Sequence, residues 1–91
     1  MGRKRRFTAR QVVEALEEAR GIVSDAATIL GCTRATVYNY IKRYQSIKRV
    51  FEEKRLEVCD LAMSKLVEKI EEGDLRAIIF FLRTFGSHRG Y

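Results

Sequence analysis

The sequence predicts an all-α protein: a three-helix N-terminal head, then a long helix and a short C-terminal helix that form a hairpin. Three observations carry this. None of the 91 residues is proline, the strongest interrupter of long helices. No alternating β-branched run bounded by turn residues occurs, so no strand is expected. Apolar residues recur at helical spacing between glycines and capping side chains. The expected division is a head over residues 1–45 and a hairpin over 46–91.

Each element has its own signature. Residues 2–6, GRKRR, read as a basic arm. Thr8, with Gln11 three residues on, fits a capping box; Val12, Val13, Leu16 and Ala19 give the first helix its apolar stripe, and Gly21 stops it. Ser24 is the expected N-cap of a second helix carrying Ala26, Ala27, Ile29 and Leu30, which Gly31 ends. Thr33 caps a third helix over 34–44, whose inward positions are Val37, Tyr40, Ile41 and Tyr44. A fourth helix runs from about Ile47 to Glu72. Its apolar stripe rotates: Ile47, Val50, Phe51, Val58 and Leu61 share one face, whereas Cys59, Ala62, Met63, Leu66, Val67 and Ile70 lie about a quarter turn away. That pattern predicts two packing duties, the first half holding the head and the second meeting whatever follows. Gly73 ends this helix, Asp74 caps a fifth from Leu75 to Phe85, and Gly86 closes it before the tail SHRGY.

The charge is unevenly placed. Residues 1–49 carry eleven Lys/Arg against four Asp/Glu, a balance of +7, and residues 50–91 carry seven against eight, a balance of −1. A basic half points to a polyanionic partner. Cys32 and Cys59 offer no disulfide framework and read as small buried hydrophobes. Without a CxxC spacing, and with His88 as the one histidine, no metal site and no cofactor are expected. No apolar run has the ~20 residues of a membrane span, nor the pattern of a secretory signal, so the expected compartment is a reducing cytoplasm. There is no phosphate-binding glycine loop, and the carboxylates, such as Glu53–Glu57 and Glu68–Glu72, spread along helix four rather than converging. An enzyme is not expected.

Within VSDAATILGCTRATVYNYIKRY, residues 23–44, a small residue stands fifth (Ala27), glycine ninth (Gly31) and a β-branched residue fifteenth (Val37). Ala27 lets two helices approach, Gly31 takes the turn conformation and Val37 fills the wedge between them. This is a helix-turn-helix pattern. The outward face of its second helix would be Thr33, Arg34, Thr36, Tyr38, Asn39, Lys42 and Arg43. Arg can fork onto guanine and Asn can bridge two edges of adenine in the major groove, while Lys42, Arg43 and the threonine hydroxyls suit phosphates. A solvated helix face looks the same in isolation; the head motif and the +7 half favour double-stranded DNA. The arm Arg3–Lys4–Arg5–Arg6 is expected in an adjacent minor groove, the alternative being a tail that only adds charge.

The closing helix is too apolar for one neighbour. On a helical wheel Leu75, Ala77, Ile78, Ile79, Phe81, Leu82 and Phe85 fill an arc of about 200°, twice the ~100° stripe that a helix buries against one partner. Phe80 stands outside even that arc, beside Arg76 and Arg83. Met63, Leu66, Val67 and Ile70 can cover one part. The remainder is expected to form a homo-oligomer interface, as a dimer or a closed ring.

The tail also resembles the bacteriophage terminase small subunits. The matching residues are Gly73, Asp74, Ala77, Phe80, Phe81, Leu82, Arg83, Gly86, Arg89, Gly90 and Tyr91, and that family begins with a helix-turn-helix head of this kind. The resemblance runs from about Phe7 to Tyr91. It implies a ring assembled through the hairpin, recognition of viral genome DNA at the start of packaging, and delivery to the large terminase subunit, which holds the ATPase and nuclease activities, in the host cytoplasm. Many members continue past Arg-Gly-Tyr with a segment for the large subunit, so a sequence ending at Tyr91 reads as a short or trimmed member. The competing expectation is a small transcriptional regulator or transposase accessory protein acting as a dimer.

Overall fold

A computed structural model of the chain describes residues 6–90. Arg3, Lys4 and Arg5 of the arm, and Tyr91, lie outside the described residues. The described chain is all-helical: α1 (Ala9–Glu18), α2 (Val23–Leu30), α3 (Arg34–Arg43), α4 (Gln45–Glu71), α5 (Leu75–Phe85) and a 3₁₀ turn over Ser87–Arg89. It divides into two compact units, the first ending at Val58 and the second beginning at Cys59.

The first unit closes around one apolar core. Val12, Ala15, Leu16 and Ala19 from α1, Val23, Ala26 and Ala27 from α2, Val37 and Ile41 from α3, and Ile47 from α4 are all buried. Val50 and Phe51 pack against this cluster. The start of α4 therefore belongs to the head, which is why the first unit extends beyond residue 45. No polar side chain is buried among the described residues, so the core carries no desolvation cost of that kind.

The caps explain where the helices begin. At α1 the Thr8 side chain accepts a hydrogen bond from the Gln11 backbone N–H, and the Gln11 side chain accepts one from the Thr8 backbone N–H. Thr33 caps α3 through the Thr36 N–H, and Asp74 caps α5 through the Ala77 N–H. α2 departs from expectation. Its N-cap is Ile22, which makes no side-chain cap bond. Starting the helix at Val23 points that side chain into the core, and Ser24 falls inside the first turn, where its carbonyl accepts from the Thr28 hydroxyl at 3.1 Å.

The ends of α1, α2 and α4 share one device. In each, a backbone N–H reaches back five residues while its predecessor reaches back three: Gly21 to Leu16 with Arg20 to Glu17, Cys32 to Ala27 with Gly31 to Thr28, and Asp74 to Lys69 with Gly73 to Ile70. This Schellman arrangement satisfies carbonyls that helix termini orphan. Its left-handed residue is Gly31 and Gly73 in two cases but Arg20, at φ 56°, in the third. Gly21 follows at φ 79° and meets a second demand: a Cβ there would lie 3.0 Å from the Arg55 backbone nitrogen.

Three further expectations change. Tyr44 is 41% exposed rather than inward; as the C-cap of α3 it has extended backbone angles, and its ring stacks on Tyr40 instead of entering the core. Cys59 is exposed, whereas Cys32 is half-buried against the core. Leu61 is exposed too, so the first α4 stripe stops serving the head near Val58.

Candidate nucleic-acid interface

α3 presents two unlike sides. Val37 and Ile41 enter the core, and Val37 has no exposed surface at all. On the other side stand Tyr38 and Lys42, one turn apart, with Asn39 and Arg43 beside them, and Arg34 occupies the first position of the helix, all exposed. The helix carries no acidic residue, and Lys42 and Arg43 occupy its last turn, where the helix dipole favours cations. The four acidic residues of the first 49 all lie elsewhere, Glu14, Glu17 and Glu18 on α1 and Asp25 on α2. Charge in the head is thus sorted by element, with the cationic side chains of α3 uncompensated on their own helix. Such a face can approach a polyanion without like-charge repulsion from the same helix.

Thr33 and Thr36 are tied into the helix start. Their hydroxyl oxygens lie 3.0 Å apart, and the Thr33 hydroxyl also accepts the Thr36 N–H. Thr33 is exposed and Thr36 half-buried, so both act as a cap before they act on anything else. Arg6, the described member of the arm, is exposed. Residue 7 is held firmly: the Phe7 backbone N–H donates to Tyr40 Oη at 2.8 Å, and the two rings meet edge to face at 6.2 Å between centroids. Sequence reasoning placed Tyr40 inward but missed this bond, because a contact 33 residues apart leaves no periodic trace.

Lys48 and Arg49 are a further pair of exposed cations at the start of α4. They contribute to the +7 balance, which was their only signal in the sequence. Among the described residues no group of three His, Cys, Asp or Glu side chains is placed to hold a metal ion.

In the second unit every predicted interface residue is at least partly accessible. Met63, Leu66, Ile70, Ile78, Phe81 and Leu82 are half-buried, while Val67, Leu75, Ile79, Phe80 and Phe85 are exposed. Leu75 and Phe80 are the extremes, at 67% and 55%. α5 has no buried residue, although eight of its eleven residues are apolar. Phe81 and Phe85 pack on each other at 5.1 Å. Gly86 is buried, and a Cβ on it would lie 2.9 Å from the Leu82 carbonyl oxygen; this glycine is required for space, since its φ of −102° suits any residue. Among the described residues of this unit the ion pairs are exposed, Lys65–Glu68 at 3.5 Å and Lys69–Glu72 at 3.4 Å, each worth little. Among the described residues no helix is long and apolar enough to cross a membrane.

Residues 3–57 match the Homeodomain-like domain, a helix-turn-helix family. No curated protein and no solved structure matches the chain.

Proposed function

The chain belongs to the Homeodomain-like domain family, and on that premise we propose that it binds double-stranded DNA by laying the outward face of α3 in the major groove. One observation carries the proposal: Arg34, Tyr38, Asn39, Lys42 and Arg43 stand exposed on the second helix of a helix-turn-helix whose other side is fully committed to the core. Arg34 and Asn39 are the residues suited to base edges, and Lys42 and Arg43 those suited to phosphates. The run Arg3–Lys4–Arg5–Arg6 adds to the positive charge of the first 49 residues. The protein acts by binding, with no reaction of its own.

The finer reading is a genome-packaging adaptor. In it the chain assembles with copies of itself through α5 and the end of α4, recognises viral DNA in the host cytoplasm, and presents it to a large terminase subunit that supplies ATPase and nuclease. Its support is the sequence pattern at residues 73–91 and the apolar surface on both sides of α5. Weak recognition by each head suffices in such an assembly, since several heads on one duplex gain by avidity. The head supports a small regulator or transposase accessory dimer equally well, because the family match stops at residue 57 and makes no distinction between them.

Two measurements test these readings. Fluorescence anisotropy on a duplex, repeated across salt concentrations, is expected to show binding that weakens steeply with salt; absence of binding at low salt overturns the DNA reading. Native mass spectrometry with and without duplex separates the finer readings. Eight or more chains support the adaptor, two chains support the regulator, and a stable monomer at high concentration removes both assemblies.

A further inference from the structure

The hydrogen bond at Phe7 joins two parts of the DNA reading that are far apart in sequence. Phe7 follows directly on Arg3–Lys4–Arg5–Arg6. Its backbone N–H donates to Tyr40 Oη at 2.8 Å, and the next N–H, that of Thr8, donates to Gln11 Oε1 at 2.8 Å. The chain is therefore pinned at consecutive residues, first to α3 and then to α1. Tyr40 is itself braced. It is half-buried, its ring lies edge-on to Phe7, and it stacks on Tyr44 at 6.0 Å with 24° between ring planes. It also directly follows Asn39 on the helix whose outer face carries Arg34 and Lys42. A backbone amide does not need a tyrosine to satisfy it at a half-exposed position, because water would serve. What the tyrosine supplies is a fixed place for residue 7 relative to α3.

We propose that Tyr40 is a positioning residue for DNA binding: its hydroxyl fixes where the basic run enters the head, so that Arg6 and the residues before it meet the same duplex as α3. Tyr40 itself makes no DNA contact. Basic side chains engage phosphates productively only where the chain holds them within reach, and each ordered residue costs conformational entropy. Anchoring residue 7 on α3 leaves less of that cost to binding, as preorganisation does in general. The inference rests on the DNA reading above.

The test is a double-mutant cycle on the full chain, with Tyr40→Phe, deletion of residues 1–6, and both together, each assayed by anisotropy on one duplex across a salt series. Tyr40→Phe keeps the ring stack and the edge contact and removes only the hydroxyl; circular dichroism at the assay temperature verifies that each variant is folded. The expected result is an affinity about three- to tenfold lower for Tyr40→Phe, the range of one hydrogen bond, with a shallower salt slope. In the deletion background the same substitution is expected to change affinity by less than about twofold, because the group it positions is gone. An equal loss in both backgrounds overturns the proposal, since the hydroxyl would then act on α3 or the core. No change in the full-length chain overturns it as well. If the wild-type chain binds no duplex, the DNA reading itself fails and the positioning role fails with it, a result distinct from the other two.

Discussion

Arg34 and Asn39 are both exposed on α3, and the chemistry of their side chains assigns them different work from Lys42. A guanidinium or a carboxamide can make two directed hydrogen bonds to one base, whereas an ammonium acts as a point charge. Arg34→Ala and Asn39→Ala are expected to cost about 1–3 kcal/mol of binding to a selected duplex and to relax preference at one base pair each. Lys42→Ala is expected to weaken binding to all duplexes alike and to lower the salt slope by about 0.9; anisotropy over a panel of single-base variants separates the two classes. Two glycines offer a comparable contrast in stability. Gly73 has φ 85° with no atom within 4 Å of a built Cβ, while Gly21 combines φ 79° with a contact at 3.0 Å to the backbone of α4. Gly73→Ala is expected to cost about 1–2 kcal/mol, the strain of a left-handed alanine alone. Gly21→Ala is expected to cost more, because the α4 backbone must also move. Urea denaturation of both variants measures the difference.

At the scale of elements, α1, α3 and α5 owe their starts to a capping side chain and α2 owes its start to burial. α1 shows the stronger form, with reciprocal bonds between Thr8 and Gln11. Thr8→Ala is expected to lower stability by about 1 kcal/mol, read as a shift in the urea midpoint at unchanged slope. α2 shows that burial can replace a cap: Ile22 makes no cap bond, and the insertion of Val23, Ala26 and Ala27 into the core holds the helix instead. α4 runs through both units without one continuous apolar face, and Leu56 in the first unit and Leu61 in the second remain exposed. α5 is the converse case, a helix rich in apolar residues that buries none of them.

For the whole molecule, the two units divide by charge as well as by packing. The basic residues that exceed the acidic ones lie in the first half, and Leu75, Ile79, Phe80 and Phe85 expose apolar surface along α5 in the second. If α5 is the seat of self-association, placing a carboxylate at its most exposed aromatic position opposes assembly while leaving the head intact. Phe80→Glu is expected to lower the mass of the assembly in native mass spectrometry and to weaken duplex binding only through lost avidity. An unchanged mass would direct attention to Ile79 and Leu75 on the other side of the helix. Deletion of residues 1–6 tests the remaining electrostatic contribution: four cations leave, so the salt slope is expected to fall by up to about 3.6 if all of them contact phosphates.

The amino-acid sequence alone determined the number, type and approximate bounds of the helices, because periodicity, caps and left-handed glycines act over four or five residues. It determined the head motif for the same reason: Ala27, Gly31 and Val37 are needed at fixed local spacing, and all three occupy the places that spacing implies. The exposure of Tyr38, Asn39, Lys42 and Arg43 agrees with the phase of Val37 and Ile41, whereas Thr36 is half-buried. Tertiary structure decided what depends on contacts between distant residues. The Phe7–Tyr40 bond, the approach of α4 to Gly21, and the turning of Tyr44 from the core onto Tyr40 have no local signal. The start of α2 at Val23 belongs with them, since a buried valine outweighed the capping preference of Ser24. Local patterns specify a helix by short-range hydrogen bonding and a 3.6-residue side-chain periodicity; the choice among such arrangements is made by packing, which only the folded chain brings together.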